Sequence, residues 1–385
     1  MQYRRFGRLD WLVSALGFGC MRLPTLDGAP QSEKIDEPET GRMIRAAIDR
    51  GVNYVDTAYP YHNGRSEAVL GKALRDGYRA KVKLATKSPV WMLGKAEDFD
   101  KYLAEQMTRL ETEHIDFYLL HALNKPRWEA VRRLGILEKA EAACRDGRVG
   151  GIGFSFHDRF EVFADIVDGY DGWTLCQVQY NYMDTENQAG TEGVRYAASK
   201  GLAVVAMEPL LGGRLANPPR PIRAFFDRFE PKRTPAEWAL DWTWNQPEVS
   251  VVLSGMTTYG QMEENVRAAE AFDPGLWSRK ALRLVERVRR AYLNKIPIPC
   301  TNCGYCLPCP SGVNIPRNFD LYNGGCIHEE PATSRNLYAR LLTEAERAGA
   351  CTRCGACEKL CPQGIPISGW MPKVHAVLGE GKPYP

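Results

Sequence analysis

Long apolar runs are missing from this 385-residue chain. No segment approaches the roughly 18 uninterrupted apolar residues that a membrane-spanning helix needs. The opening residues Met1-Gln2-Tyr3-Arg4-Arg5-Phe6 lead into a hairpin-like stretch that lacks the apolar core of a signal peptide. No membrane partner is therefore expected, and a cytoplasmic location is. Charge of one sign is also scarce. A formal net charge of +3 provides no basic face for nucleic acid and no reason to expect an acidic partner. The fingerprint of an open dinucleotide-binding sheet, G-x-G-x-x-G, is not completed by Leu16-Gly17-Phe18-Gly19-Cys20-Met21, which argues against that architecture. No flavin-binding motif is visible.

Cysteine, in contrast, is plentiful. Of the 12 in the chain, eight fall in two short runs near the C-terminus, Cys300-x2-Cys303-x2-Cys306-x2-Cys309-Pro310 and Cys351-x2-Cys354-x2-Cys357-x3-Cys361-Pro362. Three closely spaced thiolates reach three corners of a 4Fe-4S cube and a remote Cys-Pro reaches the fourth, so two runs predict two clusters. The expected wiring is crossed: Cys300, Cys303 and Cys306 with Cys361, and Cys351, Cys354 and Cys357 with Cys309. Zinc is the rival occupant, because paired C-x2-C motifs also build four-thiolate sites. Pro310-Ser311-Gly312-Val313-Asn314-Ile315-Pro316 and Pro362-Gln363-Gly364-Ile365-Pro366-Ile367 continue the two runs alike, an internal repeat. The segment resembles a bacterial-type dicluster ferredoxin, with two residues instead of three between Cys306 and Cys309, and Cys326 is the nearest spare thiol. Thiolate ligands require a reducing setting. Cys20, Cys144 and Cys176 lie in apolar surroundings and are expected to be packing residues.

The chain is longer than one hydrophobic core usually supports. From about residue 15 to 255, short β-rich apolar runs alternate with amphipathic helical patterns. Strands are expected at residues 14–20, 53–57, 83–86, 115–120, 151–155, 176–180, 203–207 and 250–253. Helices are expected at 40–50, 66–75, 98–111, 128–145, 191–200, 235–245 and 261–271. Eight strands with intervening helices predict an α/β fold, a closed (β/α)8 TIM barrel over residues 1–275. A basic amphipathic helix over 278–293 makes 276–298 a linker, and residues 299–385 form a small α+β ferredoxin-like iron–sulfur domain with a helical insertion at 319–349.

In such a barrel the reactive groups sit where strands end. Asp56 closes one strand pattern, Tyr61 follows on its loop, Lys87 closes the next and His121 the one after. Convergence of these ends would assemble machinery for carbonyl reduction. Tyr61 would be the acid, and Lys87 would lower its pKa from about 10. Asp56 would hold the lysine charged, and His121 would polarise the carbonyl oxygen.

Asp56-Thr57-Ala58 with Tyr61, Asn63-Gly64-Arg65-Ser66-Glu67, Thr86-Lys87 and the stretch from Asp116 to His121 resemble, in order and spacing, the tetrad segments of the aldo/keto reductases. The whole chain resembles the branch of that family with a C-terminal dicluster (2 × 4Fe-4S) ferredoxin domain, in which the short gap before Cys309 also occurs. The resemblance implies NADP(H) or NAD(H) as cofactor. Ser155 and Gln177 would then contact the carboxamide and Gly213 would lie on the loop over the pyrophosphate, with Ser254, Gly255, Glu264 and Asn265 near the cofactor phosphate and adenine, at a helix N-terminus. This chain departs from better-known members at Phe156, where asparagine is frequent, at Met207, where tyrosine often stacks, and at Gly255, Met256 and Gln261, where basic residues often grip the 2′-phosphate. Arg214 and Arg267 are the remaining cations there, and a flavin is the other cofactor that would suit the mouth. The expected function is NAD(P)H-dependent reduction of a small-molecule carbonyl, or oxidation of the alcohol, with the clusters relaying electrons to or from a ferredoxin or other carrier. The alternative is an electron-transfer or redox-sensing protein whose barrel binds a ligand or flavin without reducing carbonyls. In a further reading the clusters serve only as structural staples.

Overall fold

The computed structural model describes residues 1–29, 31–273, 277–300, 304–361 and 363–385. It contains two compact units: Met1–Asn217 with Arg233–Ser278, and Pro218–Lys232 with Arg279–Pro385.

In the first unit, β1 (Tyr3–Phe6) and β2 (Leu9–Ser14) form an antiparallel hairpin. Eight parallel strands follow: β3 (Leu16–Gly19), β4 (Tyr54–Asp56), β5 (Lys83–Ser88), β6 (Ile115–Leu123), β7 (Val149–Phe156), β8 (Trp173–Gln179), β9 (Ala203–Met207) and β10 (Val249–Gly255). They close in sequence order, with β10 beside β3. The (β/α)8 barrel expected from the eight apolar runs is the fold observed. Alternate residues point inward, and Tyr54, Ala85, Phe117, Leu119, Leu175, Val205 and Val251 fill the barrel interior. The hairpin contributes Phe6 and Val13 to that cluster, with the Phe6 ring stacked 4.7 Å from Phe117.

Around the barrel lie α1 (Glu37–Asp49), α2 (Ser66–Ala73), α3 (Glu97–Arg109), α4 (Lys125–Arg133), α5 (Ile136–Arg145), α6 (Phe160–Asp168) and α7 (Gly190–Ser199). Side-chain caps start several helices: Asp36 accepts from Glu39 N before α1, and Asn124 accepts from Arg127 N before α4. The single helix expected over residues 128–145 is two, because Gly135 adopts φ +65° between α4 and α5, a conformation costly for residues with a Cβ.

The second unit differs from the boundaries read in the sequence. It includes α8 (Arg220–Asp227), which lies inside the span assigned to the barrel. Next come α9 (Pro235–Trp244) and α10 (Tyr259–Ala271) of the first unit, then α11 (Arg279–Leu293) of the second. The helix assigned to a linker is thus part of the C-terminal unit. α11 buries Leu284, Val285 and Val288, α8 buries Ile222 and Phe226, and the Arg287 guanidinium lies 5.1 Å from the Phe225 ring. Apolar stripes on two short helices are stable only when packed, so α8 groups with its packing partner and not with its sequence neighbours.

α12 (Ile315–His328), α13 (Pro331–Leu341) and α14 (Ile367–Leu378) complete the unit around Val313, Phe319, Tyr322, Tyr338, Met371 and Val374. Its described residues form helices and irregular cysteine loops, with no strand among them, where an α+β arrangement was expected. No helix among the described residues is long and apolar enough to cross a membrane.

Gly153 permits one close approach inside the barrel: a Cβ there would stand 2.5 Å from Leu175 Cδ2 and 2.8 Å from Leu175 O. Gly153→Ala is expected to destabilise the protein by about 1–3 kcal/mol through overpacking. Urea unfolding measures this, and an unchanged midpoint would contradict the interior packing.

Candidate active site and cysteine-lined cavities

The two-residue period that fills the barrel also builds the site. One inward position beyond Tyr54 is Asp56, beyond Ala85 is Lys87, beyond Leu119 is His121, beyond Gly153 is Ser155 and beyond Leu175 is Gln177. These residues form the polar layer above the apolar one, at the carboxyl ends of β4 to β8.

Lys87 Nζ donates to Asp56 Oδ1 at 2.5 Å and to Thr57 O at 2.7 Å, and lies 3.3 Å from Tyr61 Oη. Asp56 and Lys87 are each about 1% exposed. The second carboxylate oxygen of Asp56 accepts from Gln177 Nε2 at 2.5 Å. Burial drives the Asp56 carboxyl up, while the ammonium and the amide pull it back. Burial opposes the charge on Lys87, but Asp56 and Tyr61 together raise it above the ordinary lysine value. The ammonium is therefore held protonated.

Tyr61 differs from the expectation. Lys87 does pull its pKa down, yet burial outweighs it and the net direction is upward from 10.0. Removing the hydroxyl from water penalises phenolate more than one shared ammonium favours it. Tyr61 is thus a phenol at neutral pH, a group able to donate a proton. The loop that carries it is fixed by its neighbour His62, at φ 52°, whose Nδ1–H donates to Ser32 O at 2.7 Å while Nε2 accepts from Leu23 N at 3.1 Å.

The His121 ring packs edge-on 6.0 Å from the Tyr61 ring. Burial, with Lys87, His157 and Arg127 adding, lowers its pKa well below 6.5, so the imidazole is neutral. Its Nδ1 is buried without a hydrogen-bond partner. A bulge aims this ring. Register between β6 and β7 shifts between Leu120 and Leu123, and Ala122 takes φ +55°. The Ala122 amide donates to Ser155 Oγ at 2.7 Å, and its carbonyl accepts from the Arg127 guanidinium at 2.7 Å.

Behind Lys87 lies a network that the sequence reading did not assign. Thr86 Oγ1 donates to Glu67 Oε1 at 2.7 Å, Gln106 Nε2 donates to the same oxygen at 2.5 Å, and Tyr118 Oη donates to Gln106 Oε1 at 2.6 Å. Gln106 also donates to Lys87 O at 3.1 Å, which fixes the backbone of the lysine. Its signal was a polar residue on the apolar stripe of α3, in line with Phe99, Tyr102 and Leu103. Trp91, Arg127 and His157 at the mouth were not singled out either.

The residues expected to hold a cofactor separate into two groups. Ser155 and Gln177 face each other in the β7–β8 register, beside Asp56. Gln177 Oε1 is buried without a partner. Ser155 Oγ already accepts from Ala122, which leaves its proton to donate. The chemistry of these two groups, an amide oxygen and a hydroxyl, is of the kind that pairs with a carboxamide, although Tyr54 also lies within hydrogen-bonding influence of Gln177. Further round, Asn265 Nδ2 donates to Ser254 Oγ at 2.9 Å and Glu264 accepts from Thr234 Oγ1 at 2.7 Å, so these three tie α10 to β10 and to the α9 cap. Gly213 has φ +93° in an open turn, and Gly255 ends β10 in register with Gly19. Arg22 and Glu208 pair at 2.8 Å between the segments after β3 and β9. Arg267 is exposed on α10 and Arg214 half-buried. Phe156 is buried against Phe163, rings 5.1 Å apart, and Met207 is half-buried at its strand end.

In the second unit, one small cavity is lined by Cys309, Cys351, Cys354 and Cys357, and another by Cys300, Cys306 and Cys361. Ile315 borders both. Cys303 lies outside the described residues, and Cys326 lines neither cavity. Burial raises the Cys357 thiol, and Cys351 and Cys309 add to the rise, a crowding of thiols that bound cations would relieve. Among the described residues no three His, Cys, Asp or Glu converge as they would around a single metal ion. Four thiols around one cavity and three around the other are a donor set that suits the thiolate ligation of 4Fe-4S clusters.

Comparison with known proteins agrees with both halves. The profile of the aldo/keto reductase family matches residues 15–274, and that of the 4Fe-4S dicluster domain matches residues 299–365. The chain belongs to the aldo/keto reductase family. An uncharacterized oxidoreductase of Schizosaccharomyces pombe is 28% identical over 68% of this chain and 83% of its own length. Aflatoxin B1 aldehyde reductase member 4 of Homo sapiens is 28% identical over 65% of this chain and 89% of its own. A Bacillus halodurans aldo-keto reductase structure superposes with TM-score 0.59 and 24% identity, covering 75% of this chain and 96% of that one, which shows the shared fold. This chain is thus an aldo/keto reductase-type oxidoreductase extended by a 4Fe-4S domain.

In this reductase the Asp56–Lys87 pair is a testable unit. Asp56→Asn and Lys87→Met should each cost about 3–5 kcal/mol of stability, since either strands a buried charge. The double substitution should cost clearly less than the sum. Urea unfolding of the four proteins measures the coupling, and additive costs would refute it.

Proposed function

We propose that this aldo/keto reductase reduces an aldehyde or ketone to its alcohol with NADPH or NADH at the barrel mouth, and that two 4Fe-4S clusters in the C-terminal unit exchange electrons with a ferredoxin or similar carrier. The observation that carries the reading is the Tyr61 hydroxyl 3.3 Å from the buried Lys87 ammonium and edge-on to a neutral His121. Bound nicotinamide supplies the hydride, and the clusters supply one-electron transfers. Every other part of the task falls to side chains. His121 hydrogen-bonds the carbonyl oxygen and orients it. Tyr61 Oη gives that oxygen its proton. Lys87 lowers the cost of the phenolate left behind, and Asp56 keeps Lys87 charged and aimed. Ser155 and the amide oxygen of Gln177 hold the carboxamide. Cys309 with Cys351, Cys354 and Cys357 would bind one cluster, and Cys300, Cys303 and Cys306 with Cys361 the other. Thiolate ligands of this kind suit a reducing, cytoplasmic setting.

Tyr61→Phe should lower kcat for carbonyl reduction by about 10²–10⁴-fold. With the phenol above its ordinary pKa and the imidazole below its own, both stay in the working form near neutrality. Reduction should accordingly be nearly flat with pH there and fall only as alkali ionises Tyr61. Steady-state rates across pH measure both effects. Full activity in the variant would sink the reading, and favour a barrel that only binds a ligand.

Anaerobically purified protein should contain about eight irons with matching acid-labile sulfide and little zinc. Cys309→Ser and Cys361→Ser should each remove about half of that iron, read by iron assay and paramagnetic resonance of the reduced protein. Unchanged iron in either variant would refute the ligand role of that cysteine.

A further inference from the structure

Next to the tetrad stands a positive charge that the reduction chemistry does not use. Arg127, in the first turn of α4, lies half-buried at the barrel mouth. Its guanidinium sits 5.1 Å from the ring centroid of Trp91, and the Trp91 ring sits 5.2 Å from that of His121. Arg127, Trp91, His121 and Tyr61 thus form a continuous wall running from a cation to the proton donor. Tyr61 comes from the loop after β4, Trp91 from the segment after β5, His121 from β6 itself and Arg127 from the helix that follows it.

Most arginines that are half-buried have a carboxylate. Arg22 has Glu208, Arg79 has Asp116 and Arg109 has Glu67. Among the described residues Arg127 makes no ion pair; its partners are the Ala122 carbonyl and the Trp91 ring. A nearby acid, Asp158, is taken up by the backbone amides of Lys125 and Arg159 at 2.9 and 2.8 Å. Burial without a counter-charge is unfavourable for a guanidinium, and only one of its five donors is satisfied by the carbonyl. Trp91, 45% exposed, offers apolar surface between the unpaired charge and His121.

Granting the carbonyl reduction proposed above, we propose that Arg127 is a specificity residue, and that the substrate is a carbonyl compound with a carboxylate a few bonds from the reacting carbon. The carboxylate pairs with the free edge of the guanidinium, the body of the molecule lies on Trp91, and the carbonyl reaches His121 and Tyr61. A charge-assisted bond of this kind discriminates by about 10- to 100-fold.

The test compares 4-carboxybenzaldehyde with benzaldehyde in the holoprotein, and adds benzoate binding by calorimetry. The ratio of kcat/KM values should favour the carboxylated aldehyde by at least about tenfold. Arg127→Met should lower that ratio by about 10- to 100-fold, and Arg127→Lys should keep most of it. A residue that merely braces the Ala122 bulge would change both aldehydes alike and leave the ratio intact. No preference in the natural protein, or a ratio preserved in Arg127→Met, overturns the proposal. If neither aldehyde is reduced, benzoate decides: affinity at least about tenfold weaker in Arg127→Met supports the anion site although the reductase reading has failed. Equal affinity in that case overturns the site as well.

Discussion

The buried ion pair between Lys87 and Asp56 is the constraint on which the barrel mouth depends. Two charges removed from water cost several kcal/mol each, and a single salt bridge rarely recovers that. Here the deficit is met by further bonds: Thr57 O takes a second proton of the ammonium, and Gln177 donates to the second carboxylate oxygen. One consequence is positional. Because Gln177 comes from β8 and Asp56 from β4, the pair ties strands on different sides of the barrel to the same ammonium. Another is electronic. The ammonium has no solvent to share its field with, so it acts on Tyr61, its only other polar neighbour among the bonds it makes.

Local conformation serves this pair. Gln106 clasps the Lys87 carbonyl, the His62 turn anchors the loop carrying Tyr61, and the Ala122 bulge turns His121 toward the mouth. Left-handed φ at His62, Asn63 and Ala122 is unfavourable for residues with a Cβ. At His62 and Ala122 it is compensated by tertiary hydrogen bonds, which concentrates conformational cost where side chains must be aimed. Arg127 joins this set twice, as a brace of the bulge and as an unpaired cation beside it.

The C-terminal unit is organised differently. Its cysteines are half-buried for the most part and pack against its hydrophobic core, so cavity walls and core are one structure. Ile315, which starts α12, borders both cysteine cavities. A cluster in either would therefore be part of the packing of this unit as well as a redox centre. The helix α8 joins the same unit although it is inserted between β9 and β10 of the barrel.

Periodicity and spacing are local properties, and they were legible. Apolar runs of strand length separated by helical patterns implied eight strands, and all eight are present because parallel strands covered on both faces must be apolar throughout. The strand-end polar residues were legible for the same reason: a two-residue period that puts Tyr54, Ala85 and Leu119 inside must put Asp56, Lys87 and His121 there too. The cysteine spacing likewise implied which thiols share a cavity. What depends on contacts between distant segments was not readable. The unit that α8 joins, the role of Gln106, the bulge at Ala122 and the lack of a carboxylate beside Arg127 all follow from which surfaces meet. The sign of the shift on Tyr61 belongs with them. Chain order places Lys87 near that phenol, but only the packed barrel settles how much water is left, and desolvation there outweighs the charge.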